Sequence, residues 1–323
     1  MRTFIACSLI LAAAVASTGS AQTPAARSPV NADEFDRLFQ QVKNWGRWGA
    51  DDQLGSVNLI TAAKRKQALS LARTGQTVSL VHNPITDKAE DNNNPFEHTM
   101  LPGFNMDRYG VAYHGYAHSH LDALCHILYK DQTYNGYARA VVNTDKGCTR
   151  LGIDNLKQGL ITRAVLLDIP RLKGAPYLEP GTAVYQEDVE AWEKMSGTKI
   201  QSGDVILLRT GRWARRDQVG PWNVGRSAAG FHASIIPFIK ERGVAVVGSD
   251  AASEVTPSMV EGIALPVHTL LIPALGVNIL DNQDLEALAE LCAKLKRWEF
   301  MITLNPLPVT GGTGSPMNTL ATF

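Results

Sequence analysis

Apolar residues along this chain recur at helical spacing in some stretches and gather into short runs or strict alternation in others. The two patterns take turns. Phe35, Leu38, Phe39 and Val42 share one helical face and predict a helix over residues 33–42, with Asn31 placed to cap it. Ala62, Ala68, Leu69 and Leu71 predict a second helix over 61–74, ended by Gly75. Residues 77–82 alternate as a strand does, and apolar runs predict further strands at 162–169, 205–208, 244–248, 276–280 and 300–304. Helical patterns fill the intervals at 186–195, 234–240 and 284–296. This alternation, with no fixed-period repeat and no linker, predicts an α/β fold in a single compact domain.

Between these elements lie two stretches of another kind. Residues 87–95 are polar and include Asn92, Asn93 and Asn94, which predicts a mobile surface loop able to act as a lid. Trp45 and Trp48 stand among glycines in a loop. They either fill a crevice or form an aromatic wall beside a substrate pocket. The chain has neither a GxGxxG nor a Walker A sequence, so nucleotide use is not supported. The glycine-rich stretch 311–316 carries no lysine and reads as a tight loop that packs or lines the pocket.

The N-terminus departs from the globular pattern. Arg2, an apolar run over 4–16 and the small residues 17–21 read as a signal peptide over residues 1–21, cleaved after Ala21. A Pro/Ala/Ser-rich flexible lead-in follows over 22–32, and the folded domain occupies 33–323. Export places the mature chain in the periplasm or outside the cell. No second hydrophobic segment offers a membrane anchor. Lys and Arg number 31, as do Asp and Glu, so no charge field points to nucleic acid or an anionic membrane, and a small-molecule partner fits better. Beyond Cys7, three cysteines remain, an odd count that cannot be fully paired: Cys125, Cys148 and Cys292. Cys125 reads as a small buried apolar residue.

The chemistry concentrates in residues 114–126, which hold four of the chain's eight histidines. Read as a strand, this stretch points His114, Tyr116, His118, His120 and Asp122 to one face. Imidazole nitrogens and a carboxylate converging there suit a divalent metal such as zinc or manganese; the alternative is a solvated polar face. His126 follows closely. His268, after a proline in an apolar setting, and Asp281, at the end of a predicted strand, are candidates for the rest of the site. His98, at the far end of the polar loop, is a further residue within possible reach.

The pattern His120-x-Asp122-x-x-x-His126 resembles the signature of the cyclase family, which includes bacterial kynurenine formamidases and isatin hydrolases. The resemblance extends through residues 45–58, 203–211, 248–250 and 311–316. It implies a mixed or barrel-like β core flanked by helices, of the swivelling β/β/α type. It also implies one or two zinc or manganese ions and a homo-oligomer, dimer or tetramer. Residue by residue, His120 and Asp122 correspond to metal ligands, His126 to the catalytic histidine and His268 to a ligand of a second metal position. Asp281 stands where the family has a glutamate. Tyr116 occupies the place of the family's first histidine, so His118, or else His114, is expected to supply the missing nitrogen. The implied activity is hydrolysis of an amide, formamide, lactam or lactone, with Trp45, Trp48 and Tyr116 against an aromatic substrate. The alternatives are a metal-assisted cyclase or dehydratase acting on a polyketide-like carbonyl compound, and a periplasmic binding protein without turnover.

Overall fold

The computed structural model describes residues 30–103 and 105–323. The signal-peptide reading and residues 22–29 of the expected lead-in lie outside the described residues. The last part of that lead-in is built into the fold. Val30 exchanges backbone hydrogen bonds with Met259 and Glu261, and Asn31 forms a reciprocal capping box with Glu34 at the start of the helix Ala32–Val42. Phe35, Phe39 and Val42 are its buried face.

The strands, in chain order, are β1 (Thr77–Ser79), β2 (Glu97–Met100), β3 (Asp107–Gly110), β4 (His120–Asp122), β5 (Leu160–Asp168), β6 (Ala183–Val184), β7 (Val205–Arg209), β8 (Gly230–Phe231), β9 (Val246–Ser249), β10 (Asn278–Asp281), β11 (Glu299–Leu304), β12 (Gly314–Pro316) and β13 (Leu320–Thr322). Nine of them form one mixed sheet in the order β1-β13-β11-β5-β7-β9-β10-β4-β12. The centre, β5-β7-β9-β10, is parallel. Antiparallel strands extend it on both sides. Strands covered on both faces need apolar residues at every position, and β7, β9 and β10 are buried throughout. β11 keeps a two-residue alternation of buried and half-buried positions, as expected where one face is better covered. Helices such as Gln186–Ser196 cover the sheet, and Trp192 on it donates to the Leu166 carbonyl of β5.

The α/β layout is as expected, with several boundaries shifted. The second helix is Ala62–Leu69, capped by Thr61, and stops well short of Gly75. The helix expected at 284–296 is Glu286–Leu295. The hairpin β2–β3 was not foreseen, because its positions are exposed and carry no core-facing pattern. Among the described residues no helix is long and apolar enough to cross a membrane.

The polar loop at 87–95 is tied down rather than mobile. Asp91 and Asn92 are buried. Asn92 donates to the carbonyls of Ile85 and Asp87, and Asp91 pairs with Arg212 and Arg216. One cysteine also departs from expectation. Cys125 is joined to Cys148 in a disulfide, and Cys292 remains a free, buried thiol.

Candidate metal centre

The strand read into residues 114–126 is only three residues long, and this decides the site. β4 covers His120 to Asp122, wedged between β10 and β12. Its register sets His120 opposite Asp281 and Asp122 opposite Gly314. Side chains two apart on a strand share a face, so His120 and Asp122 point together as expected. Before His120 the chain is not extended. Gly115 has φ +145°, a backbone state that side chains rarely adopt. Asn282 holds the folded segment by donating to the carbonyls of Gly115 and His118.

Alternation therefore fails for the earlier residues. His118 does not reach the site: its Nε2 bonds the Asn94 carbonyl at 2.9 Å, near Phe96. The expectation that His118 supplies a nitrogen is corrected on this ground. His114 comes back into the cavity by the path of the loop, and Tyr116 joins it. The cavity is about 200 Å³ and is lined by His114, Gly115, Tyr116, His120, Asp122, His126, Ala252, Leu265, His268 and Asp281.

Trp45 and Trp48 do not line it. Trp45 packs on Phe39 and Gly136 and donates to the Pro273 carbonyl. Trp48 lies under Arg47. Both act as crevice fillers, because their loop packs on the outer end of the segment that follows His268. His98 sits on the exposed hairpin, bonded to Asp107.

Asp122 is the centre of the arrangement. It is fully buried, and neither carboxylate oxygen has a hydrogen-bond partner. His114 Nδ1 stands 3.1 Å and His120 Nε2 3.5 Å from Oδ1, and His268 Nε2 stands 3.6 Å from Oδ2. Burial opposes charge on Asp122, but His126, His114, His120 and His268 outweigh it and hold its pKa below the usual carboxylate range.

Each imidazole has an outer partner. His120 Nδ1 donates to the His118 carbonyl at 2.8 Å, which leaves Nε2 as the nitrogen facing the cavity. His268 Nδ1 lies 2.7 Å from Glu254 Oε1, and its Nε2 faces Asp281 Oδ2 at 3.2 Å. Glu254 is itself fixed by the backbone N–H groups of Val267 and His268. Ser253 donates to the other oxygen of Asp281. Burial lowers the His268 pKa, but Glu254 and Asp281 outweigh it and raise the value well above that of a free imidazole.

Glu254 is the site residue that sequence reasoning missed. It follows the end of β9 at an isolated bridge to Phe231, with no periodic signal, although a strand end is a usual place for such a group.

His126 lies beside Asp122 with its ring stacked on His114, centroids 3.8 Å apart and planes 2° from parallel. Burial is the main cause that pushes its pKa down to about 4, against the pull of Asp122. Burial and then the charge of Glu254 raise the pKa of Tyr116, so its phenol keeps its proton.

These groups fit a divalent ion. Asp122, Glu254 and Asp281 bring three carboxylates to one small buried region. Ligand atoms of His120, Asp122 and Asp281 lie within 4.8 Å of one another, as do those of His114, Asp122 and His126. The donor set of imidazole nitrogen and carboxylate oxygen suits zinc or manganese, and outer partners of this kind orient ligating histidines.

Comparison with known proteins places the chain among relatives. A family model described as "Putative cyclase" matches residues 66–254, which include His114 to His126 and Glu254. A crystal structure titled as a novel cyclase is 33% identical, with a TM-score of 0.79, and the match covers 88% of this chain and 99% of that one. Isatin hydrolase A from Ralstonia solanacearum is 21% identical, with a TM-score of 0.54 over 81% of this chain and 97% of its own. Isatin hydrolase A from Labrenzia aggregata, solved with benzyl benzoate, is 19% identical, with a TM-score of 0.54 over 79% and 97%. These two share the fold. A comparison with curated proteins finds no match.

Proposed function

The chain belongs to the cyclase family, and from that premise we propose that it is a metal-dependent hydrolase that opens a C–N or lactone bond of a small carbonyl compound. One observation carries the reading: the buried, unbonded Asp122 carboxylate ringed by His114, His120 and His268. His120, Asp122 and Asp281 would hold the ion, with His268 beside them. When bound, a divalent ion supplies Lewis acidity and lowers the pKa of a water from about 16 towards about 7.

The residues perform the rest. His126 is kept neutral by burial, so it has a free nitrogen to take the proton of the attacking water. Asp122 supports the imidazolium so formed, and His126 then returns the proton to the leaving nitrogen or oxygen. Tyr116, protonated and facing the same cavity, donates a hydrogen bond to the substrate. Glu254 keeps His268 in one orientation.

A cavity of about 200 Å³ suits a substrate of one or two small rings. A lactam or aryl formamide is the class we favour, supported by the isatin hydrolases that share the fold and by the ring of Tyr116 on the cavity wall. An oxidising, extracytoplasmic location is part of this proposal, supported by the Cys125–Cys148 disulfide.

The test joins elemental analysis of the purified protein to a screen of formanilides, lactams and lactones, following formate or ring-opened acid. The expected result is about one or two ions per chain and hydrolysis of at least one member, with Asp122→Asn losing most of the metal and at least about a hundredfold in rate. A dehydrated product without hydrolysis would favour a cyclase or dehydratase. An Asp122→Asn protein with normal metal and rate sinks the proposed site.

A further inference from the structure

We infer that Arg212 is a positioning residue of the site: through Asn282 it clamps the bend at Gly115 and so fixes Tyr116, the phenol that faces the substrate. This role for Tyr116 rests on the proposed function. Arg212 begins the helix Arg212–Val219 and is buried. Asp250 accepts the N–H groups of Thr210, Gly211 and Arg212, which sets where the helix starts. The guanidinium lies over the Trp213 ring, 4.2 Å from its centroid. From there Nη1 donates to Asn282 Oδ1 at 2.9 Å, and Nη2 donates to Asp91 Oδ2 at 3.2 Å.

A guanidinium only donates, and a carbonyl only accepts. Arg212 therefore admits only the oxygen of the Asn282 amide, which turns the amide nitrogen to the opposite side. There its two protons meet the Gly115 carbonyl at 2.7 Å and the His118 carbonyl at 3.3 Å. The Asn282 side chain is wholly buried, and all three partners agree on one orientation of the amide. Its backbone has φ +54°, a left-handed state that glycine and asparagine adopt at least cost. Asparagine joins that backbone state to a two-sided amide.

Tyr116 follows Gly115 directly, so the clamp acts on it at once. Its ring packs against Gly225, where an added Cβ would lie 2.8 Å from Tyr116 Cε2. His114, on the other side of the bend, has its own tie, with Thr313 Oγ1 3.0 Å from its Nε2. Arg212 also reaches a second segment. His114, Gly115 and Tyr116 line a neighbouring cavity of about 240 Å³ together with residues 90–94. Asp91 in that stretch is the other partner of Arg212. One guanidinium thus sets the spacing between the two segments.

The test reads Tyr116 directly. The metal-free protein is labelled with 3-fluorotyrosine and examined by 19F NMR, and the Tyr116 resonance is assigned by its loss in Tyr116→Phe. Wild type is expected to give a single Tyr116 resonance. Asn282→Asp keeps an acceptor for Arg212 but loses both donors to the carbonyls. Arg212→Lys replaces the fork by a point charge that cannot span Asp91 and Asn282 together. Both variants are expected to shift or split the Tyr116 resonance, while that of Tyr134, buried beside Gly276, stays in place. Arg216→Gln touches Asp91 but not Asn282 and is expected to leave Tyr116 as in wild type.

Asn282→Gly suits the positive φ and removes only the side chain, so it decides the matter if Arg212→Lys folds poorly. It is expected to give the same shifted or split resonance. A Tyr116 resonance unchanged in Asn282→Asp and Asn282→Gly, or moved as far by Arg216→Gln, overturns the inference. The readout involves neither metal nor turnover. These shifts in a protein without hydrolysis would count against the proposed function alone, and hydrolysis with Tyr116 unmoved in the variants would count against this inference alone.

Discussion

A buried carboxylate with no protein hydrogen-bond partner is costly unless positive charge faces it. Asp122 meets that condition with imidazoles, and the residues around it divide the remaining work. Two substitutions separate the roles. His126→Gln removes the proton carrier but no ligand of the His120, Asp122 and Asp281 set, so kcat is expected to fall by about 10²–10⁴ with at least one ion per chain retained by elemental analysis. Glu254→Gln withdraws the carboxylate behind His268, so Zn²⁺ affinity is expected to drop by about 10–100-fold in a chelator competition. His120 and Asp122 were legible in sequence because i, i+2 residues of a strand share a face, and β4 supplies that much strand. His118 was misread because the rule was carried back past Ser119, where Gly115 and Asn282 bend the chain. Glu254 was illegible: a single acid in an irregular segment gains meaning only when the fold brings His268 within 2.7 Å.

Among the elements, those with a strong apolar period were read correctly and those decided by polar contacts were not. β5, β7, β9 and the helix over Ala32–Val42 follow from their patterns because burial of apolar surface drives them. The asparagine-rich loop was misread as mobile because its polar side chains find partners far away in sequence, with Asp91 pairing to Arg212 and Arg216. The disulfide is a comparable case. Cys125 directly precedes His126, and Cys148 donates its N–H to Gly311 in the loop that carries Thr313. The bridge thus ties together two segments of the site. The Cys125→Ser/Cys148→Ser double variant is expected to lose about 3 kcal/mol of stability in urea titration, from the entropy of a loop closed over 23 residues. An unchanged midpoint in oxidised protein would show that the bridge contributes nothing.

For the whole molecule, the proposed metal centre at the seam of β4, β10 and the segment around His268 would couple ion binding to stability. These parts come from widely separated stretches of chain, and an ion that binds only the folded state holds them together. Removing metal with a chelator is expected to lower the melting temperature, and ion at about 100 times its Kd should restore about 2.7 kcal/mol. The effect has a sign in pH. Ligating imidazoles must be unprotonated, so the metal-dependent part of stability is present at neutral pH and lost as pH falls. A melting temperature that ignores both chelator and added zinc would argue against the centre. By itself, the sequence determined the α/β class, the buried strands and the His120–Asp122–His126 core of the site, since these depend on local period and on residues close in the chain. Only the tertiary structure decided that His114 and not His118 faces the cavity, that Glu254 backs His268, that the tryptophans stand aside and that Cys125 is bridged. Each of those depends on which distant segments pack against one another, and no local pattern encodes that.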